Sequence, residues 1–145
     1  MAQTIDNDLC RGILENAPDA ILFADRNGTI RFWNAGAEAV FGFSEDEALG
    51  QSLDLIIPER LRVRHWSGYH QVMATGETHY GRELLSVPAL HKNGGQISSE
   101  FSIILLKDKL GQVLGLGAIM RDISKRRMEE KALKDRLAIL EQTKH

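Results

Sequence analysis

This 145-residue chain is short of the features that announce a specialised class. Its single cysteine, Cys10, excludes an internal disulfide framework and a cysteine-based zinc site. No apolar run approaches the ~18 residues of a spanning helix, and no signal-peptide pattern opens the chain, so a cytoplasmic domain without a membrane part is expected. Neither sign of charge dominates: 18 basic against 20 acidic residues leave a net charge of −2. That balance supplies no broad field for nucleic acid or an anionic membrane. No nucleophile–base pair, phosphate loop or carboxylate cluster stands out, so no enzyme active site is expected. Internal repeats and low-complexity segments are also missing.

What is present suffices for one hydrophobic core, with 43% hydrophobic residues. Ile5, Leu9, Ile13 and Leu14 recur at helical spacing behind Asp6 or Asn7, and Pro18 ends that helix. Two apolar runs, Ala20 to Ala24 and Thr29 to Trp33, flank Asp25-Arg26-Asn27-Gly28 and predict a hairpin. Asn34 is placed to cap a short helix that Gly42 terminates, and Ser44-Glu45-Asp46-Glu47 has capping-box spacing for another turn ending at Gly50. A connecting stretch then leads to one longer helix, Ile57 to Gly76, with Pro58 in its first turn. Steps of three and four put Ile57, Leu61, His65, Gly68, Tyr69 and Val72 on its apolar side.

Strands are expected over Tyr80 to His91, Gln96 to Leu106 and Val113 to Ile123, the first two joined by Lys92-Asn93-Gly94-Gly95. Pro88 points to a bulge or an edge strand. From Ser124 the chain is charged and free of Gly and Pro, with Ile123, Leu133, Leu137 and Leu140 on a sparse heptad seam. Such a helix either begins a coiled coil or packs on its own domain. The order predicts an α+β fold: a five-stranded antiparallel sheet with helices on one face, a cavity between sheet and long helix, and flanking helices at both ends. The boundaries fall at 1–16 for the first flanking helix, 17–123 for the central domain and 124–145 for the exit helix.

Taken together, LENAPDAILFADRNGTIRFWNAGAEAVFGFSEDEALGQSL, IPERLRVRHWSGYHQVMATGE, HKNGGQISSEFSI and GLGAIMRDIS resemble the PAS sensor domain family over about residues 10–124. Asn34, Gly42-Phe43-Ser44-Glu45, Gly50, Gly76, Asn93-Gly94 and Arg121-Asp122-Ile123-Ser124 sit where that family has its landmarks. The resemblance implies a signal-transduction role: a small-molecule ligand or dimerisation is sensed, and a change passes along the exit helix to an output module such as a histidine kinase. Asp122 and Ile123 would form the signalling hinge, and the output domain would lie outside this chain. A sensory fragment or a free-standing sensor is therefore expected.

The photochemical flavin branch of the family carries a cysteine where this chain has Gly50-Gln51-Ser52-Leu53-Asp54, which excludes a thiol adduct. HWSGYHQVMATGETHYG is instead similar to the corresponding segment of FixL-type haem sensors. That resemblance places His65 on the iron-ligating histidine of a b-type haem and His79 on a residue near a propionate. The distal arginine of those sensors corresponds to Leu85, and a second arginine to Gln71. Leucine there would favour carbon monoxide, nitric oxide or a redox role over tight oxygen binding. The expected cofactor pocket is lined by His65, Tyr69, Val72, His79, Leu85, Ile103, Leu105 and Ile119, with His65 also the metal ligand. A homodimer through the flanking helices is expected in either case. The alternatives are a cofactor-free dimerisation module, or a pocket for a flavin or another apolar small molecule.

Overall fold

The structure, a computed structural model, describes residues 6–78 and 83–143. Helix α1 (Asn7–Asn16) starts at Asp6, whose carboxylate accepts the N–H of Asp8, and it stops before Pro18. Strands β1 (Ala20–Asp25) and β2 (Ile30–Trp33) form the expected hairpin. Asp25 holds its turn by accepting the N–H groups of Asn27 and Thr29. Short helices α2 (Ala35–Phe41) and α3 (Glu45–Ala48) follow; Asn34 caps the first, and the Ser44–Glu47 capping box opens the second.

The long helix is shorter than its sequence pattern suggests. Ser52 caps a 3-10 turn over Leu53–Ile56, and Ile57 closes it by donating its N–H to Asp54. Pro58 is extended at ψ 139°, a second 3-10 turn covers Glu59–Leu61, and only then does α4 (Arg62–Thr75) begin. Ile57 therefore does not share its helical phase. Tyr69 and Met73 are the buried residues of α4; Trp66 and Val72 are partly buried and pack against the core, His65 is half-buried and Gly68 is exposed.

Strands β3 (Leu85–Leu90), β4 (Gln96–Lys107) and β5 (Val113–Asp122) complete one antiparallel sheet of order β2-β1-β5-β4-β3. The predicted strand from Tyr80 is thus described only from Leu85. Pro88 lies on an edge strand, in unbroken register opposite Ser98, so its missing N–H removes no interior ladder bond.

Register decides the faces. Leu22 pairs with Ala118, which pairs with Ile103; Ala20 pairs with Met120, which pairs with Phe101. This inner face meets Trp33, Phe41, Tyr69 and Met73 in one hydrophobic cluster. Asn34 anchors it: its buried side-chain carbonyl accepts the N–H groups of Ile21 and Ala37, while its amide donates to Leu14 and Asp19. Helix α5 (Ser124–Thr143) leaves the sheet with no residue buried. Leu133, Leu137 and Leu140 are more than half exposed, so α5 does not pack its seam on its own domain.

Candidate functional site

His65 projects from the flank of the inner face of α4. Its imidazole meets Trp66 edge-on, with ring centroids 4.7 Å apart, and lies 5.7 Å from the Tyr69 ring. Nδ1 is buried and has no hydrogen-bond partner. A buried polar atom left without a partner costs about 1–3 kcal/mol, and native structures rarely tolerate it without a reason. Burial pushes the imidazole below its ordinary pKa of 6.5; nearby Asp54 opposes this and His70 adds to it. The ring is therefore held neutral, the form in which imidazole binds a metal or accepts a hydrogen bond.

The aromatic neighbours are fixed. The Trp66 indole N–H donates to the Asp54 carboxylate at 2.7 Å. Tyr69 is 4% exposed, and its hydroxyl donates to the backbone carbonyls of Ala24 (3.2 Å) and Asp25. Burial, reinforced by the Asp25 charge, pushes the Tyr69 pKa up to about 12, so it stays a donor. Its hydroxyl is committed to the backbone, and its ring packs in the core cluster.

The remaining expected lining residues divide. Val72 and Leu105 pack against the core cluster. Leu85 opposes Phe101 and Ile103 opposes Ala118, so both share the inner face with Leu105. Ile119 does not. It opposes Ile21 and Ser102, on the outer face of the sheet, because side chains alternate along β5 and Leu116, Ala118 and Met120 take the inner positions. The apolar run from Leu116 to Met120 conceals that alternation behind small residues. His79 lies outside the described residues. Gln71, where the resemblance seeks an arginine, is exposed.

At the hinge, the Asp122 carboxylate accepts the Ser124 N–H and so caps α5. Ile123 is buried, and its N–H donates to Ser98 of β4 at 2.8 Å. Ser124 in turn accepts the Ser98 N–H, and Arg126 pairs with Glu100 at 2.6 Å. The first turn of the exit helix is thus tied to the strand beside the one it leaves. Two clefts of about 470 Å³ open at the surface, one between α5 and the start of β4, the other beside Arg26 at the end of α4. Neither is lined by His65.

Sequence reasoning missed Arg26 and Asp54. Both are polar residues in connecting segments that leave no periodic trace: Arg26 meets carbonyls 47 and 87 residues away, and Asp54 meets Trp66 of the next helix, 12 residues on.

This arrangement defines a class: an α+β module whose antiparallel sheet is faced by one long helix and continued by an exit helix. More particularly, the family model described as PAS fold matches residues 14–128, and the chain belongs to that family. An uncharacterized protein of Azorhizobium caulinodans is 35% identical over 129 residues, 88% of this chain and 17% of its own length. The sensor protein FixL of Bradyrhizobium diazoefficiens is 39% identical over 69 residues, 48% of this chain and 14% of its own. The cell-division control histidine kinase PdhS of Brucella ovis is 29% identical over 124 residues, 83% of this chain and 11% of its own. The chain therefore spans less than a fifth of each of these relatives. Among solved structures, a PAS domain from Colwellia psychrerythraea superimposes with a TM-score of 0.71 at 24% identity, covering 81% of this chain and 97% of its own. The chain is a PAS sensory domain of the kind found in histidine-kinase-like signalling proteins.

Among the described residues, no three His, Cys, Asp or Glu side chains group to hold a metal. A haem needs only one protein ligand, and the unpartnered, neutral imidazole of His65 fits that requirement. Leu85, Ile103 and Leu105 supply apolar surface on the inner face of the sheet. No described helix is long and apolar enough to cross a membrane.

Proposed function

We propose that this domain binds a small ligand between α4 and the inner face of the sheet, with His65 as the polar group that holds it. The sharpest form of this reading is a b-type haem ligated by His65. The observation behind it is the buried Nδ1 of His65, the only described buried side-chain nitrogen or oxygen without a partner. When bound, haem supplies an iron that responds to diatomic gas or redox state.

The protein's own part follows from its residues. Burial keeps His65 neutral and able to bind. Anchored Trp66 and Tyr69 orient the ring, and Leu85 offers no hydrogen bond on the facing strand. A polarised oxygen complex would lack a donor from that residue, which favours carbon monoxide, nitric oxide or a redox signal. The response leaves through β5, the Asp122–Ile123 hinge and α5, and reaches an output domain in the longer protein, a histidine kinase being the kind its relatives suggest. An absorption spectrum of protein purified with ample haem tests the cofactor. A Soret band that His65→Ala abolishes is expected; no band, or one unchanged in the variant, removes the haem reading.

A second reading, a cofactor-free dimerisation module, draws on a different observation. Leu133, Leu137 and Leu140 form an exposed apolar seam on α5, and α1 exposes Leu9 and Ile13. Pairing with a second copy would cover both.

A further inference from the structure

Helix α4 is fastened to one corner of the sheet, where the β1–β2 turn meets the start of β5. Tyr69 donates to the carbonyls of Ala24 and Asp25 at the end of β1. Asp25 lies opposite Gly115 of β5, where β1 and β5 come so close that a Cβ on Gly115 would fall 2.0 Å from the Ala24 oxygen. Into this corner reaches Arg26, the first residue after β1. Its Nη1 donates to the Val113 carbonyl at 3.0 Å, and its Nη2 to the Met73 carbonyl at 3.4 Å.

The two acceptors belong to different moving parts. Met73 lies in the last turn of α4, among the carbonyls that a helix leaves without an intrahelical partner. Val113 is the first residue of β5, opposite Lys107 at the irregularity where Leu114 is the extra residue. A planar guanidinium spans two such acceptors at once, whereas an ammonium is a single point of charge. Of the other ties on the inner face of α4, Trp66 runs to Asp54 and Tyr69 to β1, the strand beside β5, so of these three only Arg26 joins α4 to β5 directly.

We propose that Arg26 is a positioning residue for signal relay, carrying a displacement of α4 into the start of β5 and on to the Asp122 hinge. This deepens the reading that α4 bears the sensing residue and does not depend on which ligand His65 holds. With Arg26 in place, α4 cannot shift along or away from the sheet without stretching one of the two bonds or drawing Val113 with it. Strand β5 is the central strand and ends at the exit helix, so a shift at Val113 is passed on by a rigid element.

Hydrogen exchange on the full chain tests this as a double difference. His65→Leu perturbs α4 without any cofactor, and its effect is measured with Arg26 and in Arg26→Gln. With Arg26, exchange in β5 and the first turn of α5 is expected to change by about fivefold or more, the low end of measured site-to-site couplings. In Arg26→Gln the change should stay within α4. A merely structural arginine would alter β5 exchange in both backgrounds and leave the difference untouched. Arg26→Lys keeps the charge but not the span, and is expected to behave like Arg26→Gln. Equal transmission in both backgrounds, no transmission in either, or a lysine variant that behaves like the parent overturns the proposal. A negative haem spectrum leaves this result unaffected, and circular-dichroism melts establish that each variant is folded.

Discussion

Trp66 of α4 lies directly on Gly28 in the β1–β2 turn: a Cβ there would fall 2.1 Å from Cη2 of the indole. Gly28 also has φ at 77°, in the left-handed region. Two independent demands, contact and conformation, therefore meet in one glycine. Gly28→Ala is expected to destabilise the domain by about 2 kcal/mol or more, since the indole cannot withdraw without breaking its bond to Asp54. Urea denaturation measures this, and a loss below about 0.5 kcal/mol would show that the contact is soft.

The neutral state of His65 sets a pH dependence with a definite sign. Its pKa in the fold is below the ordinary value of 6.5, so the unfolded chain binds the proton more tightly. Stability contributed by the neutral ring is fully present above about pH 6.5 and is lost as pH falls through the folded value. Melting temperatures taken from pH 7.5 downward are expected to fall for the parent chain, and to fall less for His65→Gln. Equal slopes would show that another group governs the acid limb.

Asn34 joins four segments through one buried amide. Asn34→Ala removes the cap of α2 and strands the N–H groups of Ile21 and Ala37 together with the Leu14 and Asp19 carbonyls. A loss of about 3 kcal/mol or more is expected, with Asn34→Asp recovering the accepted bonds but not the donated ones. Denaturation of both variants checks the ordering, and an aspartate variant as weak as alanine contradicts it.

The seam on α5 predicts an oligomeric state. Leu137→Glu places a charge at its middle, where Leu137 is 51% exposed in the monomer, and should leave the fold intact. Light scattering on the full chain is expected to show a dimer that this variant weakens about tenfold or more, from a loss of about 1.4 kcal/mol. A parent chain monomeric at high concentration removes the dimer, and a dimer indifferent to the change sends the interface elsewhere.

Local signals carried most of the fold. Capping residues at Asp6, Asn34 and Ser44, the Asp25–Gly28 turn, the glycines after α2 and α4, and the two-residue period of β4 all act within a few residues of chain, so their effects are written in order along it. The position of His65 on α4 followed from the same short-range rules. The PAS family also showed in the sequence, through landmarks in the right order.

Tertiary structure alone decided which face each strand turns inward and where the helix phase begins. Ile119 is as apolar as Ile103, yet register with Ile21 and Ser102 sends it to the outer face. The 3-10 turns before α4 take Ile57 out of its helical phase, and packing buries Tyr69 and Met73 with Trp66 against the core. Arg26 gave no sign at all, because its two acceptors lie 47 and 87 residues away and are backbone atoms that every residue has. A sequence specifies such contacts only through the closed chain. The orphaned nitrogen of His65 is of the same kind: spacing placed the ring, and packing alone left Nδ1 without a partner.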